Sequence, residues 1–132
     1  DIDTNTRAVL RALENPRVDG IVHPGNPDFP LDAARVVMKA RDLGKTVEIN
    51  NSSFHYRHGS LEPCRNFADL VLRLGGQVVI SSDAHYAGDV GRADKALQVV
   101  SEIGLAPKQV MNSSAERVIS FIEARDKRLA GI

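Results

Sequence analysis

Cysteine is almost missing from this chain and tryptophan is missing altogether. Cys64 stands alone among 132 residues, so no internal disulfide framework can form, and the usage suits a reducing cytoplasm. An excess of charge of either sign is lacking too. Seventeen acidic and seventeen basic side chains cancel, leaving no basic stripe for nucleic acid and no acidic tail for a basic partner. No apolar run comes near the ~20 residues that cross a bilayer, and the opening DIDTNTR is polar and acidic, unlike a secretory leader. Internal repeats, low-complexity tracts and Ser/Pro-rich linkers are absent as well, so residues 1–132 are taken as one partial domain. The chain opens at Asp1 without a methionine, as a fragment or a processed product does.

What is present is an alternation of strand, turn and helix. Apolar residues at helical spacing predict a helix over 4–15, with Thr6, Val9, Leu10 and Leu13 on one face and Pro16 beyond its end. VDGIVH (18–23) reads as a strand closed by the turn pair Pro24-Gly25. A helix is expected from about Pro30 to Leu43, with Gly44 at its C′ position. KTVEIN (45–50) is a second strand and runs into a polar loop, NSSFHYRHGS. A third helix, about 63–74, aligns Phe67, Leu70, Val71 and Leu74. QVVISS (77–82) is a third strand, followed by a helix over about 89–103 that buries Ala93, Ala96, Leu97, Val100 and Ile103. Ser113 opens S-S-A-E, a capping box in front of a final helix with Ala115, Val118, Ile119 and Ile122 on one face. Strands alternating with helices imply three parallel βα units plus a C-terminal helix, an α/β segment of a larger barrel.

Side chains alternate across a strand, which sorts each strand into two faces. Ile21 and His23 share one face of the first strand. Glu48 and Asn50 share one face of the second, and Val79 and Ser81 one face of the third, with Asp83 added if the extended backbone continues. Polar and ligand-type groups therefore gather at the C-terminal strand ends, where βα barrels keep their active sites. His23, Glu48, Asn50, Asp83 and His85 are expected around one cavity, with Val47, Ile49, Val78 and Ile80 under the helices. Each also has a plainer reading: a hydrogen-bonded structural histidine, a satisfied buried acid, an aspartate capping a turn. Imidazole with carboxylate suits zinc first, manganese or iron next, and the lack of a cysteine cluster argues against a structural zinc site. Cys64, at a helix start, reads as a half-buried structural thiol. Arg57 could grip a phosphate or stand exposed, and His55 and His58 read as surface positions.

VHPGNP (22–27), VEINNSSF (47–54) and SSDAHYAGDVG (81–91), in that order, resemble the later motifs of the PHP family, the polymerase and histidinol phosphatase domains, and among them the small stand-alone bacterial phosphatases. The resemblance implies a distorted (βα)7 barrel around a cluster of divalent metal ions, of which this chain supplies the C-terminal half. It implies His23, Asp83 and His85 as metal ligands, with Asp83 and His85 as catalytic groups, while the position of Asn50 on its strand face and of Arg57 in the following loop offers them as substrate contacts. The early H-x-H pair and the other ligands of that family have no counterpart before His23, so the missing N-terminal half of the barrel is a partner of this chain.

The expected activity of the whole protein is metal-dependent hydrolysis of a small phosphorylated metabolite in the cytoplasm, without nucleic-acid or membrane partners and with homo-oligomer formation open. Histidinol phosphate hydrolysis or a polymerase-associated exonuclease keeps the resemblance and changes the substrate. A metal-free structural or interaction module is the alternative of another class.

Overall fold

A computed structural model describes residues 1–131. The elements follow in the order α1 (Ile2–Glu14), β1 (Gly20–Ile21), α2 (Ala33–Asp42), β2 (Thr46–Asn50), α3 (Ser53–Tyr56), α4 (Leu61–Leu74), β3 (Gln77–Ser81), α5 (Asp94–Ile103) and α6 (Ala115–Ala130). The three strands form one parallel sheet in the order β1-β2-β3. Parallel neighbours need crossovers, and α2 and the α3–α4 pair supply them. No helix among the described residues is long and apolar enough to cross a membrane.

Local chemistry sets most boundaries. Asp1 caps α1 by accepting the Thr4 N–H at 2.8 Å, and Asp32 caps α2 by accepting that of Arg35 at 3.1 Å. This second cap starts α2 three residues later than the expected Pro30. It is held in turn by the buried Thr6 hydroxyl, which accepts the Asp32 N–H at 2.9 Å. The final helix is capped by Ser114 rather than Ser113, its hydroxyl accepting from the Arg117 N–H. The expected helix at 89–103 begins only at Asp94, behind a 3-10 turn at Ala87–Asp89. The loop after β2 contains the short helix α3.

The core lies on one face of the sheet. Val47, Ile49 and Val78 pack under Val36, Val37, Phe67, Val71, Ala96 and Val100, all nearly or fully buried, each large side chain contributing about 1.5–3 kcal/mol. Ile80 is only partly buried against this cluster. Two expected core assignments fail. Leu97 is 54% exposed and Ala93 only half-buried, while Val99 is buried instead, because the inward stripe of α5 runs Ala96, Val99, Val100, Ile103. The Ile119 and Ile122 stripe of α6 is exposed, and α6 has no buried residue. That helix is held by arginines instead: Arg128 donates to the Pro16 carbonyl and to Asp19, and Arg117 to the Val110 carbonyl.

The outer edge of β3 is occupied by side-chain mimicry. Met111 N–H donates to the Val78 carbonyl at 2.7 Å, and the Asn112 amide both accepts from the Ile80 N–H and donates to the Ile80 carbonyl. Three strand groups that would otherwise stand open at an edge are thereby paired.

A second long-range device fixes α5. Ala93, at its N-cap position, offers no capping side chain. Asn51, buried at the end of β2, takes over: its Oδ1 accepts the N–H groups of Lys95 and Ala96 at 2.9 and 3.0 Å, and its Nδ2 donates to Asp94. Asn51→Ala removes this cap and strands two helix donors. It should destabilise the fold by about 1–3 kcal/mol, lowering the urea midpoint at unchanged m-value. A midpoint like that of the wild type contradicts the capping role.

Candidate functional site

The C-terminal ends of the strands are tied together by one buried carboxylate. Glu48 is 7% exposed and sits beside Val79 of β3 in register. Its Oε1 accepts the Ser81 hydroxyl at 2.5 Å. Its Oε2 accepts the His23 N–H at 2.5 Å and the Asn50 amide at 3.2 Å. One side chain thus joins the end of β2, the end of β3 and the turn after β1. Burying a carboxylate is costly unless its oxygens are bonded, and here donors from three segments bond them.

The network continues outward. Asn50, 1% exposed, accepts through Oδ1 from both the Ser53 N–H and the Ser53 hydroxyl. Ser53 Oγ in turn accepts from Arg57 Nη1 at 2.8 Å. Arg57 also stands 3.9 Å from the Asp83 carboxylate. Asn50 is therefore bonded at both ends of its amide beneath the rim, and it orients the loop that carries Arg57.

Backbone conformation marks the same places. Among the described residues, the non-glycine positions with positive φ are His23 (φ 32°) and Asp83 (φ 50°). Histidine and aspartate enter this region more readily than most residues, yet it remains strained for them. Both sit just past their strands. β1 stops at Ile21, short of the expected 18–23 span, and β3 stops at Ser81. The extended alternation that would assign His23 and Asp83 to strand faces therefore ends before reaching them.

Arg57, Asp83 and His85 line one cavity of about 450 Å³ with Ser52, Tyr56, Tyr86 and Asp89. His85 Nδ1 lies 2.8 Å from the Asp83 carbonyl. A carbonyl only accepts, so Nδ1 donates in this contact, and it is Nε2 whose lone pair the neutral ring would offer to a metal. Asp89 beside Tyr86 pushes its phenol above the usual tyrosine range. His23 is half-buried and is not among the residues lining this cavity. Among the described residues no three histidine, cysteine, aspartate or glutamate side chains come together as a metal-holding group. The donor chemistry of Asp83 and His85 fits a divalent ion, but this chain by itself offers an incomplete set.

His55 and His58 are exposed, as expected. Cys64 is fully buried rather than half-buried, at 2% exposure. A Cβ on Gly25 would come within 2.5 Å of its Sγ, so the thiol seats the turn that follows His23. Ser53 and Asn51 escaped the sequence reading. A polar N-S-S run after a strand looks like surface loop, yet Asn51, Ser52 and Ser53 are all buried.

No protein-family model matches the chain. Three similar proteins, each named "Probable phosphatase", come from Caldanaerobacter subterraneus subsp. tengcongensis, Acetivibrio thermocellus and Edwardsiella ictaluri. They are 41%, 41% and 40% identical over 132, 128 and 124 residues. The alignments take in 99%, 97% and 93% of this chain, and 52%, 53% and 51% of those proteins. The chain spans about half the length of the curated relatives it matches.

The Cys64 thiol is pushed up from 9.0 to about 11, first by burial and then by the Glu48 charge, with Arg57 opposing. Below pH 9 the thiol is protonated in both folded and unfolded chains. Between pH 9 and 11 the unfolded chain releases the proton and the folded chain keeps it, so stability falls with rising pH. Wild type should lose up to about 1.4 kcal/mol per pH unit across that window beyond what Cys64→Ala loses. Parallel stability profiles for the two proteins contradict this.

Proposed function

We propose that the whole protein is a metal-dependent phosphoric ester hydrolase acting on a small phosphorylated metabolite, and that this chain is the C-terminal half of its PHP-type (βα)7 barrel. The observation that carries the reading is the pair of left-handed residues. His23 and Asp83 open the two ligand-type motifs, and both hold a strained backbone at the strand ends. Strain of about 1–3 kcal/mol per residue persists where the surroundings over-determine it, and functional sites are where it gathers. The names of relatives about 40% identical support the same reading.

In this reading His23, Asp83 and His85 are metal ligands, and the remaining ligands come from the other half of the barrel. Divalent ions held there, zinc first and manganese or iron as alternatives, supply Lewis acidity toward a phosphoryl oxygen. Asp83 presents its carboxylate to the cluster and accepts a hydrogen bond from the attacking water. His85 offers Nε2, its ring fixed by the bond from Nδ1 to the Asp83 carbonyl. Arg57, aligned by Ser53, donates to the phosphoryl oxygens, while Asn50 holds the turn that aims it. The exposed Ile119 and Ile122 stripe of α6 supports apolar contact with the other half of the protein.

The full-length protein should carry stoichiometric divalent metal and hydrolyse p-nitrophenyl phosphate. Asp83→Ala should lower both by more than the ~10–100-fold that losing an outer partner of a metal ligand costs. Activity and metal content at wild-type level in that variant overturn the assignment.

A further inference from the structure

The cavity that holds Arg57, Asp83 and His85 has two kinds of wall. Tyr56 and Tyr86 line it as well, and apart from these two rings every residue in its lining is polar or charged. A volume of about 450 Å³ accepts a small organic molecule rather than a lone phosphoryl group. Arg57, Asp83 and His85 serve the phosphoryl end of the proposed reaction. The two rings are what the cavity offers to the rest of a substrate.

Each ring is the chain neighbour of one of those groups. Tyr56 ends α3 directly before Arg57, and Tyr86 directly follows His85. Both are open to solvent, at 72% and 64% exposure. An exposed tyrosine ordinarily swings freely, but Tyr86 is seated. Its ring lies against Gly88, where an added Cβ would come within 2.5 Å of ring carbon Cε2 and 3.3 Å of two more. Gly88 does not have positive φ, so it is the ring rather than the backbone that calls for glycine. Asp89 stands beside the Tyr86 hydroxyl and is itself paired with Arg92 at 3.5 Å. The 3-10 turn at Ala87–Asp89 therefore holds in place a ring that forms no part of the core. A ring fixed before it meets a ligand gives contact area at little entropic cost.

We infer that Tyr56 and Tyr86 are specificity-determining residues, flanking a flat ring on the alcohol of the ester. With the phosphoryl group at Arg57, Asp83 and His85, the substrate is a phosphate monoester of an alcohol that carries an aromatic ring. Flat rings suit this wall because aromatic faces and edges attract one another beyond the area they bury. The substrate class rests on the phosphatase reading; the ring site rests on the cavity lining and the seat of Tyr86.

Two arms on the full-length protein test it. Tyr56→Ala, Tyr86→Ala and Gly88→Ala remove or dislodge a ring, and Tyr86→Phe keeps it. None of these side chains belongs to the core, so the fold survives each change. In the first arm benzylphosphonate and ethylphosphonate, which are not hydrolysed, are titrated by calorimetry. The wild type should bind the benzyl compound at least ~10-fold more tightly. Tyr86→Phe should keep that preference, and the other three variants should lose most of it. No preference in the wild type, one that survives the loss of either ring, or one lost with the hydroxyl alone overturns the ring site. In the second arm kcat/KM is compared for benzyl phosphate and ethyl phosphate, whose leaving alcohols are of similar acidity and differ in the ring. Their ratio should fall about tenfold in the three ring variants, through KM. Hydrolysis of both esters at a ratio the variants do not alter overturns the substrate class and leaves the phosphatase reading intact. Failure to hydrolyse either ester, with the phosphonate preference retained, overturns the phosphatase reading and leaves the ring site standing.

Discussion

The geometry of the rim depends on the buried carboxylate of Glu48. The parallel ladder extends past Asn50 by one bond, from the Asn51 N–H to the Ser81 carbonyl at 2.9 Å, and the Cys64 thiol seats the turn after β1, but a further constraint is needed to hold the three strand ends together. Glu48 supplies that constraint from the face opposite the apolar core, by accepting from the His23 N–H, the Asn50 amide and the Ser81 hydroxyl. Each bond is local and modest, but together they bind three separate segments of the sequence. The network then passes through Asn50 and Ser53 to Arg57, and so to the cavity that contains Asp83 and His85. Polar networks of this kind specify one arrangement when every member is satisfied.

Much of the scaffold was legible because its signals are periodic. The four helices over the core keep apolar residues at helical spacing, and the strands between them imply parallel pairing, as found. Leu97 and the α6 stripe misled for a shared reason: periodicity shows that a helix has an apolar face, not that anything in this chain covers it. The strand ends misled in another way. Period-2 alternation was extended to His23 and Asp83, but both adopt left-handed backbone, a choice imposed by tertiary bonds that no short window contains.

The site itself was only half legible. Of the five residues expected around one cavity, His23, Glu48, Asn50, Asp83 and His85, only Asp83 and His85 line it, together with Arg57. Asn50 belongs to the framework beneath it, with amide nitrogen and oxygen both engaged. Asn51 and Ser53 were invisible for a simpler reason. Their function is to satisfy backbone and side-chain groups far away in sequence, Lys95 and Ala96 for one and Arg57 for the other. A polar residue buried to serve a distant donor looks in the sequence like any loop residue.

The structural role of Glu48 is most directly tested by comparing Glu48→Leu with Glu48→Gln in chemical unfolding. Glutamine can still accept from the His23 N–H and the Asn50 amide, and the Ser81 hydroxyl can reverse to accept from its NH₂, so its cost should stay near 1 kcal/mol. Leucine fills the same space and leaves buried donors from three segments without an acceptor, at about 1–3 kcal/mol each. The account predicts that the leucine variant is less stable than the glutamine variant by at least about 2 kcal/mol, with the His23 amide losing its protection from hydrogen exchange. Equal stability of the two variants, with the His23 amide still protected in the leucine protein, would contradict it.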